Sequence, residues 1–294
     1  MVNRQSSIVN GTGTREWSTA SANCRLGCSH GCLYCYARAD ALRWKRIASA
    51  SQWTRERNLP PPKKFRKRPG VVMFPTTHDI TPANLDHCLA MLEGLLKAGN
   101  QVLIVTKPHA SCIAEICRRL RAYGGVGAIA DQERIEFRFS IGAVSPDALA
   151  FWEPGAPDLE ERMAALWIAH GVGFATSVSC EPLLEPERAV ELVASVEPHV
   201  TETIWIGKAN RLLARTDWCY EDADGQVCIP TLEAEIERIE AWQTPEACRR
   251  VYEALKGNPK VRWKDSYRLA FYRKSISLGC AACGQGKGPP WRRS

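Results

Sequence analysis

The chain has 294 residues and a formal net charge of +7. Its length and its hydrophobic fraction of 45% suffice for one large α/β domain or two small ones. It has no stretch of about 18 uncharged apolar residues, and residues 1–13 lack the apolar core of a signal peptide, so we expect neither a membrane span nor secretion. Thirteen cysteines without such a signal indicate metal ligation in a reducing cytoplasm rather than disulfides.

Strand and helix patterns alternate through the first two thirds of the chain. Apolar and β-branched runs predict strands at 17–23, 71–74, 101–106, 135–141, 173–179 and 203–206. Amphipathic patterns predict helices at 36–50, 85–97, 111–123, 159–170 and 185–196. Each strand with its helix takes about 30 residues, as parallel strands joined by crossover helices require. Six such units fit a partial barrel or a doubly wound open sheet, and both place their chemistry at the carboxyl ends of the strands.

A basic loop interrupts this pattern at 52–70. It contains three consecutive prolines and many cations, namely Arg55, Arg57, Lys63, Lys64, Arg66, Lys67 and Arg68. Such runs attract the phosphates of nucleic acids, although a basic segment is often only a solvated loop. From the sequence alone both interpretations stay open.

The pattern changes after residue 206. Residues 207–230 are irregular, 232–256 are helical with a break at Thr244-Pro245, and 261–264 suggest a short strand before a tail rich in Gly, Pro and Arg. We therefore predict a barrel domain at 1–206, with the basic insertion near 52–70, and a helical, cysteine-containing extension at 207–294.

Three cysteines stand close together on one predicted loop. Cys28, Cys32 and Cys35 form a C-x3-C-x2-C pattern, with the aromatic Tyr34 before the last cysteine. Three thiolates ligate three irons of a [4Fe-4S] cube and leave the fourth iron open to chelation by S-adenosylmethionine (SAM), whereas an electron-transfer cluster normally has four cysteines. The alternatives are a zinc knuckle, which usually needs a distant second cysteine pair, and scattered buried thiols.

The cysteine stretch resembles the signature of the radical SAM superfamily. The blocks at 23–28, 105–107, 139–141, 145–147, 153–157 and 161–162 resemble its spore photoproduct lyase-like branch, over about residues 20–206. The resemblance implies an α/β fold with a partial (β/α)6 barrel of the radical SAM type. It also implies an enzyme that reductively cleaves SAM to a 5′-deoxyadenosyl radical and abstracts a hydrogen atom from its substrate. An external electron donor such as flavodoxin or ferredoxin would supply the electron.

The resemblance also carries site residues to this chain. Cys28, Cys32 and Cys35 match the [4Fe-4S] ligands. The SAM-binding candidates are Tyr34, Thr76, Thr77, His78, Asp79, Lys107, Ser140, Ser177 and Glu181. Ordinary alternatives exist for several of them, because the turn at 76–79 is also typical of a helix cap, a lysine before proline suits a solvated loop, and a strand serine can simply bond a neighbour.

One departure from the branch concerns the hydrogen-atom donor. Spore photoproduct lyases proper have a cysteine just after strand two, where this chain reads Phe74-Pro75-Thr76-Thr77. DNA photoproduct repair by that route is therefore not expected. Cys180, after strand five, is the alternative candidate for the donor, and a small buried thiol is the commoner role for such a cysteine.

Four further cysteines suggest a second metal. Cys280 and Cys283 form a C-x2-C pair in the tail, and Cys219 and Cys228 flank a strong turn signal. Together they would hold a zinc ion or an auxiliary iron–sulfur cluster, unless they are unligated thiols.

The substrate is the least determined part of the prediction. The basic loop and the branch favour a nucleic acid or nucleotide, and a peptide or small natural-product precursor is the alternative. A different class altogether is a non-catalytic metal-binding nucleic-acid module, for which a six-unit barrel would be excessive.

Overall fold

The computed structural model describes residues 13–122, 132–221 and 227–270. Within them the strands are β1 (Ala20–Ser21), β2 (Arg25–Leu26), β3 (Arg57–Asn58), β4 (Val71–Phe74), β5 (Gln101–Thr106), β6 (Ile135–Ser140), β7 (Ala175–Cys180), β8 (Ile204–Ile206) and β9 (Val261–Trp263). The helices are α1 (Tyr36–Arg43), α2 (Leu85–Lys97), α3 (Ala110–Ala122), α4 (Pro146–Trp152), α5 (Leu159–Gly171), α6 (Ala189–Val196), α7 (Leu212–Thr216), α8 (Ile229–Ala241) and α9 (Pro245–Leu255). None of these helices has the length and apolarity to cross a bilayer.

One parallel sheet organises the fold. Its seven strands stand in the order β1-β4-β5-β6-β7-β8-β9, and β2 pairs with β3 in a separate antiparallel ribbon. The order follows the chain without the reversal that defines a doubly wound sheet. Right-handed crossovers then put the connecting helices on one face, so the sheet curves as an open barrel. The predicted partial barrel is confirmed, and it gains a seventh strand, β9, from the predicted extension.

The outer face of the sheet carries the main apolar core. Alternate strand residues such as Ile104, Phe137 and Val178 pack with the helix residues Leu92 and Leu166, and all five are buried. Each such side chain contributes about 1.5–3 kcal/mol by leaving water. This core holds the crossover helices against the strands and so fixes the loops at the strand ends.

The inner face is more polar. Arg138 of β6 donates to the hydroxyl of Ser177 on β7, and its guanidinium lies 4.9 Å from the ring centroid of Trp17 and 5.6 Å from that of Trp205. Met73, Leu103 and Val105 form a small apolar cluster with Trp17 on this side of the sheet. The short 3-10 turn Gly13–Glu16 precedes Trp17 and brings the start of the described chain to this face.

A lysine from the predicted extension fixes that N-terminal turn. Lys264 follows β9 and is fully buried. Its Nζ donates to the carbonyl of Gly13 at 2.6 Å and lies 3.0 Å from Glu16 Oε1, 3.5 Å from Glu181 Oε2 and 4.1 Å from the Trp17 ring centroid. The boundary at 206 remains a prediction, and this contact joins the two sides of it.

The structure differs from the predicted elements at a few places. α1 ends at Arg43, well before residue 50, and the predicted loop at 52–70 contributes β3. α4 was not predicted, although its start is capped by Ser145, whose hydroxyl accepts from the Ala148 N–H, with Pro146 in the first turn. The helix break at Thr244-Pro245 is confirmed, since Thr244 caps α9.

We expect Phe137→Ala to destabilise the fold by about 3–5 kcal/mol, because it leaves a cavity between β6 and the helices. Val190→Ala on α6 removes a side chain that is 51% exposed and should change stability by less than about 0.5 kcal/mol. Denaturant unfolding of both variants measures the difference. Equal effects from the two substitutions would contradict this assignment of the core.

Candidate metal centre and cofactor site

The cysteine loop is held in shape by backbone contacts on both sides. Gly27 has φ of +96° and leaves no room for a side chain, since a Cβ there would lie 2.6 Å from the Trp53 carbonyl oxygen. The Cys28 N–H donates to that same carbonyl at 2.9 Å, and the Leu33 N–H donates to the Trp152 carbonyl at 2.9 Å. The loop is therefore fixed between the segment before β3 and the end of α4.

Two charged side chains outside the motif brace this loop. Glu56 accepts from the Ser29 N–H at 2.8 Å and pairs with Arg25 at 2.8 Å. Arg38 of α1, almost fully buried, donates to the carbonyls of Cys32 at 2.7 Å and Leu33 at 2.8 Å. Its guanidinium also lies 3.7 Å from the ring centroid of Trp218. Sequence reasoning missed both braces, although an arginine on the buried side of a short helix next to the motif was a usable signal.

Asp79 stands at the centre of the site, just beyond the end of β4. Its Oδ1 accepts from the Thr106 hydroxyl at 2.8 Å and from the Lys107 N–H at 2.6 Å, and its Oδ2 lies 3.0 Å from His30 Nδ1. The same Oδ2 is 3.8 Å from Cys28 Sγ. Burial alone would raise the pKa of Asp79, but the Lys107 charge and the hydrogen bonds from His30 and Lys107 hold it far below its usual range. The carboxylate is therefore charged and directly beside the cysteine loop.

Lys107, at the end of β5, reaches into the same space. Its Nζ lies 3.9 Å from Asp79 Oδ2, 4.0 Å from Glu153 Oε1 and 5.7 Å from the Tyr34 ring centroid. Burial alone would lower the pKa of Lys107, but Cys32, Tyr34 and the two carboxylates raise it well above its usual value. The side chain is a fixed cation between two anions.

Glu153 completes the site from the loop after α4. It is buried, accepts from the Tyr34 hydroxyl, and lies 2.5 Å from Arg162 Nη2. Arg162 is fully buried and also donates to the carbonyls of Pro157 at 2.7 Å and Ser140 at 3.2 Å. Burial would raise the pKa of Glu153, and the Arg162 and Lys107 charges reverse that and lower it. Both residues lie in sequence blocks that resemble the family, at 153–157 and 161–162, but neither was predicted as part of the site.

The cysteines provide a donor set that suits an iron–sulfur cluster. Cys28 and Cys32 are buried, Cys35 is half-buried, and none forms a disulfide. Burial raises the pKa of Cys32 to about 12 and, with Asp79 nearby, that of Cys28 well above the usual thiol range. Such thiols become thiolates only when a metal stabilises the charge. Three free thiols on one braced loop therefore fit a cluster.

A single ion is a poorer fit to the three cysteines. In the described parts of the chain, the one set of three potential ligand atoms within 4.8 Å of one another belongs to Cys28, His30 and Asp79. A tetrahedral zinc with Zn–S distances of about 2.3 Å keeps its ligand atoms within about 4 Å of one another. The three cysteine sulfurs do not form a group that tight, whereas a cube would space them further apart.

The turn at 76–79 lies beside the loop. Asn23 Oδ1 accepts from the N–H groups of Thr76 at 2.8 Å and Thr77 at 2.9 Å, and Asn23 Nδ2 lies 2.6 Å from the Thr76 hydroxyl. His78 Nε2 accepts from the Cys24 N–H at 3.2 Å, and its Nδ1 lies 3.0 Å from the Asp79 carbonyl oxygen. These bonds hold the turn in place and leave Asp79 to face the cysteines.

The remaining candidates lie on β6, on β7 and directly after β7. Ser140 is half-buried at the end of β6, and its carbonyl accepts from Arg162. Ser177 is fully buried within β7, where its hydroxyl donates to Glu136 at 2.6 Å. Glu181 faces Lys264, and burial raises its pKa despite that cation. Cys180 packs in the outer core, where burial raises its pKa to about 12.

The predicted second metal set is only partly described. Cys219 is buried beneath α8, and Cys228 is exposed at the start of that helix. Cys280 and Cys283 lie outside the described residues. A second metal site stays a prediction.

Comparison with known proteins gives matches among solved structures alone. No family model matches the chain, and no curated protein does. The chain is similar to spore photoproduct lyase complexed with dinucleoside spore photoproduct, with 16% identity and a TM-score of 0.45 over 83% of this chain and 75% of that one. A mutant of that lyase gives 16% identity and a TM-score of 0.44 over 82% and 74%.

These solved structures belong to the branch whose motifs the sequence resembles. The likeness is distant and concerns the path of the chain.

We expect Glu153→Ala to cost about 3–5 kcal/mol of stability, because it leaves Arg162 buried without its carboxylate partner. Denaturant unfolding measures the loss. Glu115→Ala, which removes a surface ion-pair partner of Arg118 and Arg119, should leave the unfolding midpoint unchanged. If Glu153→Ala also left the unfolding midpoint unchanged, the buried pair of Glu153 and Arg162 would not stabilise the site.

Proposed function

We propose that this protein is a radical SAM enzyme with a [4Fe-4S] cluster ligated by Cys28, Cys32 and Cys35. One observation carries the proposal: three free thiols on a braced loop lie at the carboxyl edge of an open parallel barrel, beside a buried Asp79 and a half-buried Lys107. When bound, the cluster and SAM supply a 5′-deoxyadenosyl radical that abstracts a hydrogen atom from the substrate. An external electron donor is part of the proposal.

The charged residues of the site suit the polar ends of SAM. We assign the ammonium of Lys107 to a carboxylate or a ribose hydroxyl, since an ammonium is a compact point charge with three hydrogen-bond donors. Asp79 and the turn at 76–79 would meet the methionine amino group, and Ser140 would contact the ribose. Tyr34 would line the adenine side, since its hydroxyl is already engaged by Glu153.

The protein's own contribution is orientation and exclusion of water. Cys28, Cys32, His30 and Glu153 are all buried, so the reacting groups are enclosed on the protein side. The paired carboxylates and cations fix these side chains in advance, which spares the enzyme their reorganisation during reaction. A dry, rigid site keeps a reactive radical from side reactions.

We propose a nucleic acid or nucleotide as the substrate. The support is the exposed basic segment before β4 and the family resemblance of the sequence, which is an argument by analogy. DNA photoproduct repair with a cysteine donor after β4 is not proposed, because Thr76 and Thr77 stand there and Cys180 packs in the outer core. A peptide or small precursor remains the alternative substrate.

Replacing any one of the three cysteines tests the cluster. We expect Cys32→Ala to lose the cluster absorbance and all 5′-deoxyadenosine formation, because one iron loses its ligand. Cys112→Ala, at a buried cysteine of the outer core, should keep both. Iron and sulfide analysis of anaerobically purified protein gives the first readout, and chromatography after reduction with SAM gives the second. A full [4Fe-4S] signal in Cys32→Ala, or zinc in place of iron in the wild type, would overturn the proposal.

Substitution of Lys107 tests whether this residue contributes to SAM binding. Lys107→Ala should weaken SAM binding by about 1–3 kcal/mol, as expected for a lost charge-assisted hydrogen bond in a largely buried site. Cluster content should be unchanged, and Lys107→Arg should restore part of the affinity. Lys256→Ala, at an exposed lysine of the C-terminal region, serves as the control. Titration of the reconstituted protein with SAM decides, and wild-type affinity in Lys107→Ala would remove this residue from the site.

A further inference from the structure

A second feature of the molecule lies at the other edge of the sheet. Residues 63–68, which we call the basic strap, contain Lys63, Lys64, Arg66, Lys67 and Arg68, and all five are exposed. No acidic residue occurs between 62 and 70. Among the described residues none of these five cations has an ion-pair partner. Five unpaired cations in six residues form a concentrated positive charge.

The strap is anchored to the barrel. The ring of Phe65 packs over Gly94 of α2 so closely that a Cβ on that glycine would lie 2.4 Å from it. Asn100, fully buried, accepts from the Arg68 N–H at 2.7 Å and donates to the Arg66 carbonyl at 3.2 Å. The backbone therefore presents these cations in a fixed arrangement, which reduces the entropy lost on binding a ligand.

A cleft of about 320 Å³ opens next to the strap. Its lining includes Lys67, Arg68, Gly70, Gly99 and Arg134, and no acidic residue among those that the structure describes. Gly70 and Arg134 immediately precede β4 and β6, and Gly99 lies two residues before β5. The Arg134 guanidinium is oriented by its bond to the Leu96 carbonyl at 2.8 Å.

The cleft is remote from the cysteine loop. Its lining precedes β4, β5 and β6, whereas Asp79 and Lys107 follow β4 and β5. Strands of four to six residues separate the two edges by about 13–20 Å. A small cofactor cannot occupy both places, so the cleft needs a ligand of its own or a polymer that extends from one edge to the other.

We infer that the basic strap and its cleft form a docking site for the phosphate backbone of a nucleic acid. Lysine and arginine side chains neutralise closely spaced phosphates, and arginine does so with two parallel hydrogen bonds. The three lining cations, with no carboxylate among the described lining residues, favour such a polyanion. The identification of this nucleic acid as the substrate rests on the proposed function. Binding itself does not, since the cations of the basic strap would hold a phosphate backbone whatever reaction the cysteine loop supports.

The test compares two variants with the same net charge. The strap variant changes Lys64, Arg66, Lys67 and Arg68 to Gln. The control variant changes four other exposed cations, Arg118, Arg121, Arg249 and Lys256, to Gln. Each variant lowers the net charge by four, from +7 to +3, so a difference between them reports the location of the charge and not its amount.

Binding of 20-nucleotide DNA and RNA single strands is then titrated at several salt concentrations on the reconstituted full-length protein. The slope of log K against log salt should fall by about 2–3 units in the strap variant, since each cation contributes at most about 0.7 for single strands. The control should keep the wild-type slope. Polyaspartate should bind the wild type at least tenfold more weakly than the nucleic acids.

Three results would overturn the inference: no nucleic-acid binding at low salt, equal loss of slope in both variants, or polyaspartate binding as tight as that of the oligonucleotides. Cofactor cleavage separates this inference from the proposed function. Both variants should form 5′-deoxyadenosine at the wild-type rate without nucleic acid, because the changed residues lie outside the cysteine site. Loss of binding with intact cleavage therefore concerns the docking site alone.

Discussion

The site depends on the pairing of two carboxylates with two cations at a position that is largely shielded from water. Asp79 and Glu153 are two carboxylates with little access to water, and Lys107 lies within about 4 Å of both, while Arg162 pairs with Glu153 alone. Burying one of these charges alone would be costly, but each carries its partner and several hydrogen bonds with it. Because Asp79, Lys107 and Glu153 lie in three different loops and Arg162 lies in α5, their pairing holds the ends of β4, β5 and β6 and the cysteine loop at one place.

The sheet separates two kinds of chemistry. Its carboxyl edge collects thiols, paired charges and little open surface, which suits a reaction that must exclude water. Its amino edge presents unpaired cations to solvent, where long-range attraction can capture a charged polymer. The outer core between the sheet and the helices makes this separation rigid, since close-packed interiors have low compressibility.

Much of this arrangement was predictable because it follows from strand order. Asp79 lies five residues after β4 and Lys107 directly follows β5. Neighbouring parallel strands bring their ends to one edge, so a sequence pattern locates both residues. Glu153 and Arg38 were not predicted as site residues. Glu153 contacts Tyr34 because α4 packs against the cysteine loop, and Arg38 contacts the loop carbonyls because α1 does. Local sequence patterns carry no information about that packing.

The sequence also did not determine how far each residue lies from the end of its strand, or which face of the sheet it occupies. Ser177 lies on the inner face of the sheet, but it stands three residues before the end of β7 and bonds Glu136 and Arg138. Cys180 ends the same strand and points to the outer core. Alternation assigns a residue to one of two faces only once the register is known, and the register was set by pairing with β6 and β8.

The contact between Lys264 and the N-terminal turn links residues 251 positions apart. During synthesis at about 5–20 residues per second, Glu16 waits about 12–50 s before Lys264 has been added. Until then Trp17 and Trp205 have the Arg138 guanidinium beside their rings but lack the second cation, Lys264. The N-terminal turn is therefore fixed only after β9 and Lys264 have been synthesised, and a chain that stops before residue 264 lacks the cation that binds Gly13 and Glu16.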